Sequence, residues 1–194
     1  MRIFMAGASG VIGIRLTPLL VGAGHTVAGM TRSPGKARTL RELGAEPIVC
    51  DVYDAGRLTD AVVAFRPDAV IHQLTDLPDE VAALPASAAA NDRIRTEGTR
   101  NLIVAAGAAG ASRFVAQSIA WRPAGRGEVI DRHERQVLDF GGVVARYGQL
   151  YGPGTYYERE LPGHPRVHVD EAARATLPLL DAAPGIVRIA EPGD

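Results

Sequence analysis

A three-layer α/β/α fold on a doubly wound, mostly parallel sheet is what this sequence predicts, and three observations predict it. Short apolar runs alternate with segments of helical periodicity along all 194 residues. A glycine-rich turn, Gly7-Ala8-Ser9-Gly10-Val11-Ile12-Gly13, joins the first apolar run to the first helical segment. Polar residues recur where the apolar runs end, the edge at which such sheets hold their ligands.

Residues 2–7 contain Ile3, Phe4, Met5 and Ala6, a continuous apolar run that fits a strand covered on both faces. In residues 10–22, Ile14, Leu16, Leu19 and Leu20 recur at helical spacing. A second strand covers 25–30 with Val27 and Met30, and a helix at 35–43 stops at Gly44. After a strand at 46–50 comes a helix at 55–66, with Leu58, Ala61, Val62 and Phe65 on one face, ending before Pro67. The fourth strand is 69–73. An alanine-rich passage at 81–91 then enters a long helix at 88–108, whose face carries Ile94, Leu102, Ile103 and Ala106. A strand at 114–117, a Pro/Gly loop at 122–127, a helix at 128–139 and a strand at 143–147 follow. A loop rich in Gly, Pro and Tyr spans 151–165, before an extended piece at 167–169, a helix at 170–182 and a last strand at 186–189. Right-handed crossovers wind these units to both sides of the first strand. The whole, 1–194, reads as one domain.

Net charge is −1, which leaves no electrostatic footprint for nucleic acid or an acidic membrane. No apolar run approaches a spanning length, and the first strand begins too early for a signal peptide to precede it. A single cysteine, Cys50, closes an apolar run and reads as a core filler. It rules out an internal disulfide framework, and together these features suit the cytoplasm and a small-molecule partner.

The glycine turn carries the first chemical signal. Gly7 permits a tight turn, Gly10 lets a diphosphate approach the backbone, and Gly13 lets the helix pack close to the strand. Free amides and the positive end of that helix then favour an anion, so Ser9, Val11 and Ile12 join the glycines as candidate cofactor contacts. The other strand ends supply Arg32, Asp51, Val52, Leu74, Thr75, Ser118 and Tyr147. A dinucleotide site that selects NAD usually has a carboxylate after its second strand. Here stand Met30-Thr31-Arg32-Ser33, with Lys36 and Arg38 nearby. Arg32 can fork onto a 2′-phosphate, so NADP(H) is favoured over NAD(H), the alternative being a solvated basic turn. Asp51 either accepts from an adenine amino group or caps the helix that follows.

On these residues the chain resembles the extended short-chain dehydrogenase/reductase family, the NAD(P)-dependent epimerase/dehydratase group. The glycine turn, Asp51-Val52 and Asp68-Ala69-Val70-Ile71-His72 match in order, as do Glu97-Gly98-Thr99-Arg100-Asn101-Leu102 and Gln117-Ser118. Arg146-Tyr147, Tyr151-Gly152-Pro153-Gly154 and Val167-His168-Val169-Asp170-Glu171 continue the match across nearly the whole chain. The resemblance implies a Rossmann fold, a nicotinamide cofactor and a homodimer formed through the helices at 88–108 and 128–139. It also implies a Ser or Thr after strand five, which Ser118 supplies, and a Tyr-x-x-x-Lys pair on the next helix. Counting back from Glu134 puts Arg126 and Ile130 at those two places, and the chain's one lysine, Lys36, lies elsewhere. The family Asn before Gly-Thr is replaced by Arg95. Only 13 residues separate Gly154 from His168, where the family inserts much of its substrate lobe, and members continue past residue 194.

Candidate catalytic residues are therefore Ser118 and Tyr147. Ser118 either bonds a substrate oxygen or caps its own turn. Tyr147 and Tyr151 either replace the missing phenol, with a pKa lowered by a nearby cation, or pack beneath the long loop. His133 lies in Asp131-Arg132-His133-Glu134-Arg135, which reads as a solvated helix face rather than an acid/base site. Trp121 walls a pocket or plugs the core edge. The spacing of Glu158, Glu160, His164 and His168 matches no helical zinc signature, so no metal is expected. The expected function is an NAD(P)-dependent oxidoreductase, epimerase or dehydratase acting on a small carbonyl or hydroxyl compound. A non-redox cyclase or isomerase on the same fold, or a non-catalytic NADP(H)-binding sensor, are the alternatives.

Overall fold

The structure is a computed structural model that describes residues 1–78 and 80–193. Seven parallel strands form one sheet in the order β3-β2-β1-β4-β5-β6-β9. They are β1 (Arg2–Ala6), β2 (Thr26–Thr31), β3 (Glu46–Val49), β4 (Ala69–His72), β5 (Arg113–Ile119), β6 (Val143–Tyr147) and β9 (Gly185–Ile189). The chain winds outward from β1 through β2 and β3, then returns to build β4, β5, β6 and β9 on the other side. The order reverses between β1 and β4, where Ala6 pairs with Met30 on one flank and His72 on the other. A crevice opens at that reversal, beyond the carboxyl ends of the strands.

Alternate residues of each strand supply two cores. Ile3, Met5 and Ile71 pack under α1 (Gly13–Gly22), α2 (Ala37–Glu42) and α7 (Val169–Thr176), through Leu16, Leu20, Leu40 and Ala172. Phe4, Ala6 and Val70 pack on the other face under α3 (Ala55–Phe65), α5 (Thr99–Ala108) and α6 (Gly127–Asp139), through Leu58, Val62, Leu102 and Val137. Burial on both faces explains why β1 reads as an unbroken apolar run rather than an alternating one.

Beyond element ends, the structure differs from the sequence reading at the following places. The helix expected at 88–108 is divided: α4 (Ala88–Arg93) passes through a π-helical turn, Ile94–Gly98, into α5. α3 is capped by Asp54, whose carboxylate accepts from the Arg57 amide, while Asp51 accepts from the Tyr53 amide. Gln149–Tyr151 (β7) forms a short parallel pair with β8 (Arg166–His168). The α6 segment read as solvated buries Ile130, His133, Glu134 and Val137. Those four recur at helical spacing, so two apolar residues mark the stripe and the polar pair lies within it. No helix among the described residues is long and apolar enough to cross a membrane.

Candidate active site

The crevice is a cleft of about 1100 Å³. Its first wall is the turn between β1 and α1. Gly7 has φ +87, and a Cβ there would lie 2.7 Å from the Gln73 carbonyl at the end of β4. A Cβ on Gly13 would lie 2.3 Å from the Gly7 carbonyl oxygen. The turn is thus closed on itself and on β4 to a degree that only glycine tolerates. Ser9 donates to Thr31 Oγ1 at 2.9 Å and the Ala8 amide donates to the Met30 carbonyl, which tie the turn to β2. No side chain caps α1, and its first turn carries no acid. Among the described residues, the amides of Val11 and Ile12 have no protein acceptor. Unpaired amides beside a glycine-only turn fit a diphosphate and the dinucleotide that carries it.

Gly7, Ser9, Gly10, Val11 and Ile12 all line the cleft, while Gly13 sits behind them. Further along lie Arg32, Asp51, Val52, Leu74 and Thr75. Arg32 is 64% exposed and pairs with Asp76 at 2.8 Å. Arg32 donates to Asp76, a bond that raises its pKa further, and a guanidinium keeps its charge in any case. Ser33 and Lys36 line the same end.

At the opposite end stand Ser118, Tyr147, Arg126, Ile130 and Trp121. Both positions counted as the family's Tyr and Lys therefore face the cleft, occupied by Arg126 and Ile130. Ser118 is buried and donates its hydroxyl to Glu134 Oε1 at 2.6 Å. Arg146 forks onto the same carboxylate, at 2.8 Å and 2.5 Å. Burial alone would raise the Glu134 pKa, but the bonds from Arg146 and Ser118 hold it below the usual carboxylate range.

Tyr147 is held as firmly. Thr176 donates its one hydroxyl proton to the Ala172 carbonyl, so the Tyr147 O–H donates to Thr176 Oγ1 at 2.6 Å. Gln73 Nε2 donates to the phenol oxygen at 3.0 Å. Among the described residues no cation stands beside this phenol as expected, and burial pushes the Tyr147 pKa up. Tyr151 bonds Glu191, and its pKa is raised through that bond. Ser118 and Tyr147 thus share the site, with both hydroxyl protons committed to neighbouring side chains.

Beneath this end runs a relay that the sequence did not disclose. The Leu74 amide donates to His72 Nδ1 at 3.1 Å, so His72 Nε2 donates to Thr99 Oγ1 at 3.0 Å. Thr99 Oγ1 in turn bonds His133 Nδ1 at 2.8 Å, which also faces the Arg95 carbonyl at 3.2 Å, and His133 Nε2 faces the Gln117 carbonyl at 2.7 Å. The Leu74 amide fixes the His72 tautomer, and the chain of bonds ties the ends of β4 and β5 to α5 and α6. Both rings are neutral: burial lowers the His72 pKa well below its ordinary value and that of His133 to about 4.

The sequence family described as NAD(P)H-binding matches residues 7–134. A 3-diazoavenalumate denitrifying reductase from a Streptomyces species is 40% identical over 185 residues, which cover 82% of this chain and 60% of that protein. The chain therefore spans about three fifths of the length of this curated relative. Two solved structures share the fold. The UDP-glucose 4-epimerase of Thermus thermophilus, in complex with NAD, superposes with a TM-score of 0.79 at 21% identity, over 98% of this chain and 78% of that one. The UDP-glucose 4-epimerase of Thermotoga maritima, with UDP-glucose, gives a TM-score of 0.80 at 19% identity, over 98% and 77%. Matched over about two thirds of its length and sharing its fold with these two epimerases, the chain belongs to the NAD(P)H-binding family, and its cofactor is a nicotinamide dinucleotide.

Proposed function

We propose that this protein is an NADP(H)-dependent reductase whose hydride acceptor needs no proton from a tyrosine. The carrying observation is the state of the reacting end. Ser118 directs its proton to Glu134, Tyr147 directs its proton to Thr176, and the family's phenol and amine positions hold Arg126 and Ile130. A carbonyl accepting hydride needs a proton on its oxygen, for which a positioned acid supplies a factor of about 10²–10⁴. When bound, the reduced nicotinamide supplies a hydride, and an acceptor that loses neutral dinitrogen from a diazonium carbon balances C–H formation and C–N cleavage against nicotinamide oxidation without any proton. The 40%-identical relative, a denitrifying reductase of a diazo compound, supports that acceptor class. Ser118 and Tyr147 then orient the acceptor, Ser118 through the lone pairs that its bond to Glu134 leaves open.

The preference for the 2′-phosphate rests on Arg32. It is exposed, permanently charged and flanked by Ser33 and Lys36. The Arg32 side of its pair with Asp76 is open to solvent, so the guanidinium can turn one edge to a phosphate. Asp51 and Val52 at the end of β3, with Leu74 and Thr75, would bound the adenosine.

Two measurements test this reading. NADPH should bind about ten-fold or more tightly than NADH, and Arg32→Ala should reduce the ratio to about three-fold or less. Equal affinities, unchanged by the substitution, would overturn the NADP(H) assignment. With NADPH, an ortho-quinone diazide should release dinitrogen faster than it does without protein, while an aldehyde is reduced slowly or not at all. Faster reduction of the aldehyde would refute the proton-free acceptor, and turnover of neither would favour a cofactor-reading protein without catalysis.

A further inference from the structure

The reacting end contains a buried cationic nitrogen without a hydrogen-bond acceptor. Arg95, in the π-helical turn between α4 and α5, is 5% exposed and lines the cleft. Its Nη1 is the only buried cationic nitrogen without a hydrogen-bond acceptor among the described residues. The carboxylates nearest to it are already engaged. Asp92 accepts from Arg126 at 3.0 Å, and Glu134 accepts from Arg146 and Ser118. A buried guanidinium left unpaired carries a heavy desolvation penalty, and arginine keeps its proton under these conditions. π-helical turns of this kind concentrate at functional sites.

Resting on the reading of the cleft as a nicotinamide-dependent reductase site, we propose that Arg95, with Arg126 beside it, receives a carboxylate carried by the substrate. The substrates are then small organic acids. Three points favour a substrate carboxylate over a phosphate of the cofactor. The diphosphate cradle lies at the end of β1, whereas Arg95 stands over α6 and the end of β5, two strands away in the sheet order. The one uncompensated positive charge is balanced by a monoanion, and a phosphate dianion would overcompensate it. A planar guanidinium edge matches a planar carboxylate in two parallel hydrogen bonds. Arg126, held by Asp92 and the Ala88 carbonyl, adds a second positive centre at a place where family members carry a phenol.

The test uses the purified protein saturated with NADP⁺, titrated calorimetrically with benzoate, benzamide and inorganic phosphate. Benzoate should bind about ten-fold or more tightly than benzamide and ahead of phosphate. Arg95→Met should erase that preference. It should also raise the melting temperature of the ligand-free protein, because it replaces an unpaired buried charge by an apolar chain. Benzoate should raise the melting temperature of the wild type and leave that of Arg95→Met unmoved. A merely structural arginine would do the reverse, lowering the melting temperature on substitution and leaving benzoate binding intact. Arg95→Lys keeps the charge without the fork and should retain a reduced preference, so the result does not hang on one variant. Equal binding of benzoate and benzamide by the wild type, or tighter binding of phosphate, would overturn the proposal. NADP⁺ binding without a benzoate preference counts against the carboxylate site alone, whereas a benzoate preference without NADP⁺ binding counts against the cofactor reading alone.

Discussion

Replacing Gly13 by Ala probes the contact that closes the cofactor turn. The added Cβ would stand 2.3 Å from the Gly7 carbonyl oxygen and 2.6 Å from the Ala8 carbonyl group. Both neighbours are backbone, so no side chain can swing aside. Reaching even 3.0 Å requires the first turn of α1 and the loop to separate by about 0.7 Å. A clash this close with backbone lies in the upper part of the overpacking range, about 2–3 kcal/mol, against which alanine returns about 1 kcal/mol of helix propensity. The net is a destabilisation of about 1–2 kcal/mol, or a drop of some 2–8 °C in melting temperature for a chain of this size. Displacing the Val11 and Ile12 amides should weaken NADPH by about ten-fold or more, since charge-assisted bonds to phosphate contribute about 1.5–3 kcal/mol each. Gly22 lies at the far end of the same helix, where an added Cβ meets nothing within 4 Å. Gly22→Ala should therefore stabilise by about 0.5–1 kcal/mol and leave NADPH binding alone. Thermal melts and a fluorescence titration of both variants decide the matter. If Gly13→Ala keeps wild-type stability and affinity, the turn is not closed as described.

Three further outcomes follow from the buried polar groups. Glu134→Gln leaves Arg146 and Ser118 without their carboxylate and should cost about 2–3 kcal/mol in denaturant melts, the low end for a buried pair because Arg146 is partly solvated. Its folded pKa is depressed, so its stabilising contribution is full above the ordinary Glu range and declines as pH falls through and below it, and the variant should lose that part of the acid limb. His133 titrates near 4 when folded and near its ordinary value when unfolded, so stability should fall as pH drops from about 6.5 to about 4, at about 1.4 kcal/mol per unit at the steepest. His72 adds to this fall in the same direction, and a flat stability profile over that window would contradict the neutral relay. Tyr147→Phe should destabilise by about 1–2 kcal/mol through the stranded Gln73 and Thr176, yet slow turnover less than about ten-fold; a loss of 10²-fold or more in a pH-dependent kcat would make the phenol an acid after all.

The frame of the molecule was legible because its signals are local. Gly7, Gly10 and Gly13 sit between an apolar run and an apolar helix face, and that succession has few structural meanings. Strand order follows from right-handed crossovers, and strand ends then name Arg32, Asp51, Leu74 and Ser118 without any knowledge of contacts. The buried charges were not legible for the opposite reason. Whether His133 and Glu134 face solvent depends on what crosses α6, and that is set by Thr99 and Arg95 over thirty residues away. The one available clue was that Ile130 and Val137 bracket them at helical spacing. Arg95 stood out only as a departure from the family's Asn, and nothing in the sequence marked its burial, since a π-helical turn has no pattern to betray it. Tyr147 was placed correctly at a strand end, but the direction of its proton depends on Thr176 in a helix that arrives later in the chain.

The most direct measurement is an amide correlation spectrum of the labelled protein during titration with NADPH. The resonances of Gly10, Val11, Ile12 and Gly13 should shift together, saturating at one equivalent, with Arg32 and Val52 following. If NADPH moves other amides while those four stay in place, the dinucleotide does not lie on the amino-terminal turn, and the assignment of this cleft is wrong.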